Sequence, residues 1–217
     1  SAAMKECMNR YALNALKYYG VKKNIQEEPP PGWPQQDEAD QALEWIKNLP
    51  WEKNPWGAGS HSAKVCRWLL RWYKEGKITL DPLINSLEYI YSIQDPETGL
   101  WGGKNTPLFN RINGNFKLFT LLQTELSLPL PYAEKIIDNV FTEFYRPDYD
   151  QKVGACDEFD NWQVMVQALL KTEDYRINEI EKMAAYRIKR TLEILSKPDG
   201  GLSYSPDQCS SSWVGFD

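Results

Sequence analysis

Several features are scarce or missing in this sequence. Its four cysteines lie far apart and form no Cys-x-x-Cys pair, which argues against a zinc ribbon or a thioredoxin-type site. We therefore expect buried free thiols rather than disulfides. His61 is the only histidine, so any histidine-dependent mechanism must use it. No segment approaches the roughly 20 apolar residues of a membrane-spanning helix, and we expect no membrane span.

A basic excess is also missing. The chain has 25 Lys and Arg against 30 Asp and Glu, a formal charge of -5, which makes nucleic acid a poor candidate partner. The start, Ser1-Ala2-Ala3-Met4, is typical of a cloning remnant. The compartment therefore stays open, with the cytoplasm favoured. The oligomeric state is not readable from the sequence.

Aromatic residues and helical periodicity are abundant. The chain holds 9 Trp, 12 Tyr and 7 Phe, enough with its other apolar residues for a sizeable core. Apolar spacing predicts an all-α fold without alternating strands. The segment 1–35 is expected to be an N-terminal helix with a proline-rich connector, and 36–217 a set of repeats. Helices are predicted near 4–19, 37–48, 62–75, 82–93, 115–127, 131–145, 161–173 and 176–196.

Loops rich in Pro, Gly and aromatic residues recur between helix pairs. Their marker glycines are spaced 45, 52 and 47 residues apart: Gly57, Gly102, Gly154 and Gly201. This spacing indicates an internal repeat of helix–turn–helix units. Aligning the following helices places Ser62, Asn115, Asn161 and Ser211 in one column, and all four are typical N-cap residues. We expect each to begin a helix. These helices are the most apolar, so they are expected inside and the charged ones outside.

One of these loops, Gln94-Asp95-Pro96-Glu97-Thr98-Gly99-Leu100-Trp101, resembles the QW motif of terpenoid cyclases and protein prenyltransferases. Pro198-Asp199-Gly200-Gly201 is similar to another loop of that superfamily. The resemblance covers about residues 36–217 and implies an α/α toroid, in which inner helices surround a cavity. In that family the motif tryptophan mainly braces the structure. We expect a longer toroid, because the chain ends inside a predicted inner helix.

The resemblance does not extend to an active site. The DxDD acid motif, the DDxxD magnesium–diphosphate motif, the zinc set of protein prenyltransferases and the Gly-Cys-Gly-Glu-Gln thioester motif are all absent from the sequence. No metal and no cofactor are therefore predicted. Function has to be argued from candidate residues, because a fold alone does not assign it.

The candidate catalytic residues precede or begin the predicted inner helices. His61 would act as a general acid or base near neutral pH, and Asp157, Glu158 and Asp160 would share the cavity with it. The alternatives are a loop histidine bonded to the backbone, and carboxylates that merely complement a helix N-terminus.

The candidate substrate-binding residues are aromatic or polar. Trp56 and Trp162 would stack on a sugar or an isoprenoid, and Arg111 and Asn113 would orient a hydroxylated or anionic substrate. The alternatives are stacking between repeats and ordinary hydrogen bonding within loops.

Three functions remain open at this point. The first is an enzyme acting on a large, apolar, isoprenoid-like substrate in an aromatic cavity. The second is a glycan-active hydrolase or lyase, which needs tryptophan platforms and an acid–base pair. The third is a non-catalytic binding or scaffold module with a filled centre. The partner is accordingly a small-molecule or oligosaccharide substrate in the first two.

Overall fold

The structure is a computed structural model that describes residues 29–198, Gly200 and Ser203. Within these residues there are eight α-helices and no β-strand, which confirms the all-α prediction. A 3-10 turn, Gln36–Gln41, precedes the first helix, and a π-helical turn, Thr120–Glu125, continues the fourth. The helices are α1 Ala42–Lys47, α2 Pro55–Lys74, α3 Asp81–Ser92, α4 Leu108–Phe119, α5 Ala133–Phe144, α6 Tyr149–Lys152, α7 Ala155–Leu169 and α8 Ile177–Leu195.

The amphipathic helices lie within two residues of their predicted positions. Helices α3, α5 and α8 match the segments predicted at 82–93, 131–145 and 176–196. The segment predicted at 37–48 is divided between the 3-10 turn and α1. No helix in the described part of the chain is long and apolar enough to cross a membrane. The helix predicted at 4–19 and the fourth repeat loop beyond Pro198 fall outside the described residues, apart from Gly200 and Ser203.

The predicted N-caps are wrong for the inner helices α2, α4 and α7, which begin six or seven residues earlier than expected. Helix α2 begins at Pro55, and the Asn54 side chain accepts a hydrogen bond from the Gly57 amide at 2.9 Å. The first repeat loop is therefore the first turn of a helix. Proline fits there because its missing amide is one that a helix start leaves unpaired.

The column of small polar residues instead lies buried inside these helices. The Ser62 hydroxyl donates to the Ala58 carbonyl at 2.8 Å, and the Asn115 amide to the Arg111 carbonyl at 2.6 Å. The Asn161 amide donates to the Tyr149 hydroxyl at 2.7 Å. Short polar side chains that can cap a helix can also bond to its own backbone in a tight interior. Ser211, the fourth member, lies outside the described residues.

The inner helices form a row in which α2 packs on α4 and α4 packs on α7. The backbones of α2 and α4 approach each other closely because glycines, which have no side chain, lie at their contact. A Cβ atom on Gly59 would lie 2.5 Å from the Gly114 carbonyl oxygen, and one on Gly114 would lie 2.7 Å from the Pro55 carbonyl. Helix α3 packs against α1 and α2, and α5 against α7 and α4. The expected contrast between apolar and charged helices does not hold for α2 and α3, because α2 carries four Lys and Arg side chains whereas α3 carries only Asp81 and Glu88.

Hydrogen bonds hold the loop 94–101, which resembles a QW motif, against the end of α3. The Trp101 side chain is 1% exposed and its indole N–H donates to the Ile90 carbonyl at 2.5 Å. The Gln94 amide donates to the Gly99 carbonyl at 2.8 Å, and Gly99 has a positive φ of 71°. Glycine adopts this left-handed conformation without strain. The loop thereby closes on itself and on the end of α3.

The cysteine prediction is confirmed in one of two described cases. Cys66 is a free thiol buried in α2, and burial raises its pKa to about 12. Cys156 is also free, but it is exposed in the first turn of α7, so the expectation of burial is wrong there. Apolar surroundings penalise the thiolate at Cys66, whereas Cys156 lies on the outer side of its helix turn. Cys7 and Cys209 lie outside the described residues.

Candidate functional site

Polar and aromatic side chains from the three inner helices meet at one place. We call this group the Asp157–Asp160 cluster, and it consists of Trp56 from α2, Asn113 and Lys117 from α4, and Asp157 and Asp160 from α7. Residues three or four apart share one face of a helix, which places the two members from α4 together and the two from α7 together. The Asn113 amide donates to Asp157 Oδ1 at 3.3 Å. Lys117 Nζ lies 5.5 Å from the centroid of the Trp56 ring.

The helix start fixes the position of Asp157. The Gly154 backbone N–H donates to Asp157 Oδ2 at 2.9 Å, so the carboxylate holds the first turn of α7. Burial nevertheless raises the pKa of Asp157, against the opposing effects of the Gly154 amide, Asn113 and the charge of Arg146. The bond to the Gly154 amide agrees with the alternative that this carboxyl group complements a helix N-terminus. Asp157 also accepts a hydrogen bond from Asn113 on α4, which that alternative does not include.

Asp160 has the most strongly perturbed carboxyl group of the cluster. It is 6% exposed, and burial raises its pKa to about 7. The charge of Lys117 opposes this shift and that of Asp157 adds to it. A carboxyl group with such a pKa is partly protonated at neutral pH, where it can give or accept a proton. The arrangement suits acid–base chemistry.

Exposed aromatic rings border the two carboxyl groups. Trp56 is 43% exposed and Phe159 is 56% exposed. The Phe159 ring meets the Phe116 ring edge to face at 5.7 Å, and Lys117 Nζ lies 4.3 Å from the Phe116 centroid. A ligand at this place would meet ring faces as well as charged groups.

Sequence reasoning missed Glu143, a third carboxyl group. The charge of Asp157 lies near enough to contribute to raising the pKa of Glu143. Glu143 lies in α5, is 2% exposed, and has a raised pKa because of its burial. Arg146 Nη1 lies 3.1 Å from its Oε1 atom. A signal did exist in the sequence, because Glu143 falls on the apolar stripe that includes Ile136 and Val140.

Glu158 lies in a different network from its two neighbours. Arg187 of α8 donates to both of its carboxylate oxygens, at 2.7 and 3.2 Å. Tyr149 and Trp162 donate to it at 3.1 and 2.9 Å, and the Trp162 ring packs 4.9 Å from Phe144. These contacts join α7 to α8. The catalytic role of Glu158 and the stacking role of Trp162 stay predictions, and the structure does not bring either into the Asp157–Asp160 cluster.

His61 belongs to an aromatic group on another face of α2. Its ring centroid lies 4.7 Å from that of Trp33 and 6.3 Å from that of Trp45. No contact within the described residues joins it to Asp157 or Asp160. The predicted pairing of His61 with these carboxylates therefore gains no support from the described contacts.

Arg111 is held by the loop that precedes α4. Its guanidinium lies 3.0 Å from Asp95 Oδ2 and also donates to the Thr98 hydroxyl at 2.7 Å. Arg111 and the hydrogen bonds of its loop keep the pKa of Asp95 below its usual value, although burial acts in the opposite direction. Arg111 thus anchors the loop to the helix that carries Asn113 and Lys117, and its predicted contact with a substrate stays a prediction.

In the described part of the chain no group of three or more His, Cys, Asp or Glu side chains could hold a metal ion. Two surface pockets, beside Trp45 and beside Tyr91, share no residue with the cluster. No family model matches the chain, and neither a curated protein nor a solved structure shows significant similarity to it. Function must therefore be argued from the geometry of its side chains.

Proposed function

We propose that this protein is a glycan-active hydrolase or lyase that uses Asp160 as its general acid. The observation that carries the proposal is the Asp160 carboxyl group, buried beside a second carboxyl group and with a pKa raised to about 7. Glycosidases commonly combine a proton-donating carboxyl group with a second, ionised one. Two neighbouring carboxyl groups in different surroundings, of which Asp157 accepts hydrogen bonds from the Gly154 amide and Asn113, fit this division of roles.

Each member of the Asp157–Asp160 cluster has a role in this scheme. In hydrolysis, protonated Asp160 gives its proton to the glycosidic oxygen as the bond from that oxygen to the anomeric carbon breaks, and ionised Asp157 takes a proton from the water that attacks this carbon. Asn113 holds Asp157 in place through its 3.3 Å hydrogen bond. Lys117 stabilises Asp160 once it has lost its proton, because the charge of Lys117 favours the ionised form. Trp56 offers an exposed ring face for a pyranose.

The polarity of the cluster favours a glycan over an isoprenoid. Two carboxyl groups, an amide and an ammonium group can each hydrogen-bond to a hydroxyl-bearing substrate. A hydrocarbon chain offers none of these groups a hydrogen bond.

The second candidate is an isoprenoid-directed enzyme on an α/α toroid related to the terpenoid cyclases. The row of α2, α4 and α7, with α3 and α5 packed beside it, supports the toroid part of this proposal. Trp56, Phe116 and Phe159 support the chemistry, because aromatic faces stabilise a positive charge that develops on a substrate. In this scheme Asp160 would protonate the hydrocarbon.

A substrate screen separates the two candidates. The chain is incubated with neutral and acidic polysaccharides, and new reducing ends or unsaturated sugars are measured. Isoprenoid diphosphates are tested in parallel by product chromatography. We expect turnover of one glycan class, and a drop of at least about 100-fold in Asp160→Asn, since general acid catalysis typically contributes that much. Asp81→Asn, an exposed aspartate at the start of α3, is the matched control and keeps full activity.

Three outcomes would count against the glycan proposal. Turnover of an isoprenoid alone would favour the second candidate. Glycan turnover that is equal in Asp160→Asn and in Asp81→Asn would remove Asp160 from the mechanism. A chain that turns over neither class would correspond to the non-catalytic module.

A further inference from the structure

A second candidate site lies away from the Asp157–Asp160 cluster. A pocket of about 620 Å³ opens between the proline-rich segment 29–34 and the polar face of the turns that follow it. This volume is within the usual range of ligand pockets, about 300–1,000 Å³. One wall consists of the Trp33 and Trp45 rings with three prolines, and the other includes Gln41, Glu44 and Asn48. The spacing of these last three places them on one helical face.

The aromatic wall is held in a fixed arrangement. The Trp45 indole donates to the Gly32 carbonyl at 3.1 Å, and the Gln35 amide donates to the Trp33 carbonyl at 2.8 Å. The two indole rings lie 4.6 Å apart, and Trp33 packs edge to face on Trp68, 5.4 Å behind it. Such rings need little ordering when a ligand binds, which limits the entropic cost of binding.

The charges around the pocket balance. Glu38 and Glu44 contribute carboxylates, and Glu44 Oε1 lies 2.6 Å from Lys47 Nζ. Lys64 Nζ lies 5.7 Å from the centroid of the Trp33 ring, so no charge of one sign dominates that would favour an ionic ligand. Side-chain amides and carboxylates beside flat apolar rings match a neutral molecule that has both hydroxyl groups and C–H faces.

We propose that this pocket binds a neutral oligosaccharide, as an anchoring site separate from the catalytic cluster. The choice of a sugar over another neutral ligand rests on the proposed function. The pocket and the cluster would bind one polysaccharide at two places. Binding in the pocket would then raise the effective concentration of the polysaccharide at the cluster.

Calorimetry on pocket variants tests the anchor directly. Soluble neutral oligosaccharides of glucan, xylan and mannan type are titrated into the Asp160→Asn chain, which prevents turnover. We expect binding by one of them and an about tenfold weaker Kd when Trp45→Ala is added. The double variant Gln41→Ala with Asn48→Ala changes two exposed side chains, so it should fold normally and also bind more weakly. Tyr145→Ala, which removes an exposed aromatic side chain outside both sites, is the matched control and should leave this Kd unchanged.

The remaining probes decide between ligand classes. Polygalacturonate and a polyproline peptide are titrated in the same way, and neither is expected to bind. Equal affinity in the parent, Trp45→Ala and Gln41→Ala/Asn48→Ala chains would overturn the proposal. So would Trp45-dependent binding of the peptide or of the acidic glycan in place of a neutral one.

The design also separates the two proposals. In the wild-type background, Trp45→Ala should slow turnover of polysaccharide but leave turnover of a short oligosaccharide unchanged. If Trp45→Ala weakens oligosaccharide binding while Asp160→Asn has no effect on activity, the anchor stands and the catalytic proposal fails. If Asp160→Asn abolishes activity and the pocket variants bind normally, the catalytic proposal stands alone.

Discussion

The burial of Asp160 costs stability, and the same burial gives the side chain the raised pKa on which its proposed role as a general acid depends. Its carboxyl group is held where the neutral form is favoured, with Lys117 as a partial compensation. The sequence identified Asp157, Glu158 and Asp160 as one acidic group, but could not show that Glu158 belongs to a different network from the other two. Glu158 is set apart by Arg187, which is 29 positions away along the chain and contacts only Glu158 of the three. Such a long-range contact has no signature in local sequence.

The raised pKa of Asp160 predicts a pH-dependent stability. Because the folded-state pKa, about 7, exceeds the ordinary value of 3.8 for an aspartic acid, the folded state binds a proton more tightly than the unfolded one. The group therefore costs stability as pH rises from about 4 through 7. Asp160→Asn, which mimics the protonated form, should raise the melting temperature at pH 8 and change it little at pH 4.

Thermal unfolding of the wild type, Asp160→Asn and the control Asp81→Asn at the two pH values measures this effect. The gain for Asp160→Asn at pH 8 should be on the order of a few kcal/mol at most. A gain of equal size at both pH values, or a loss at pH 8, would contradict the assigned ionisation.

Helix packing explains both the success and the failure of the sequence-based boundaries. Helices α3, α5 and α8 follow a simple apolar period, so they were predicted nearly to the residue. Helices α2 and α4 contain Gly57, Gly59 and Gly114, which normally interrupt a helix. In this fold Gly59 and Gly114 lie where two helix backbones touch. That contact gains enough packing to offset their poor helix propensity, and no local pattern reveals it.

The glycine contact between α2 and α4 predicts an unusual substitution effect. Gly114→Ala places a methyl group 2.7 Å from the Pro55 carbonyl, so the helices must separate. We expect a loss of about 2 kcal/mol in the free energy of unfolding, although alanine is the better helix former. Urea unfolding is the measurement, with Ser60→Ala in α2 as a control of small effect. A stabilised Gly114→Ala protein would show that the helices are not in close contact.

At the scale of the whole molecule, buried polar contacts join the last described helix to the rest. Arg187 of α8 binds Glu158 of α7 and Asp150 of α6, and Arg190 also binds Asp150, at 2.6 Å. The repeat pattern predicts inner and outer helices, and their arrangement as a toroid stays a prediction. It could not predict this polar network, because its members come from three separate elements. Closure of the row into a ring remains part of the proposed function.

The network predicts a non-additive pair of substitutions. Arg187→Met leaves the Glu158 carboxylate buried without its cation, which should cost about 3–5 kcal/mol. Adding Glu158→Gln removes that charge, so the double variant should be more stable than Arg187→Met alone. Urea unfolding of the singles and the double gives the coupling. Hydrogen exchange should show that α8 loses protection before the inner helices in Arg187→Met. Additive losses would indicate that the two side chains act independently.

The contrast between the two described cysteines has a practical consequence for studying the cluster. Cys156 is exposed and directly precedes Asp157, whereas Cys66 is buried with a thiol that stays protonated. With Cys7 and Cys209 replaced by serine, a thiol-reactive fluorophore would therefore attach selectively at Cys156. A change in the fluorescence of the dye would then report that a ligand binds at the cluster, because Cys156 directly precedes Asp157. Such an assay does not require the natural substrate to be known beforehand.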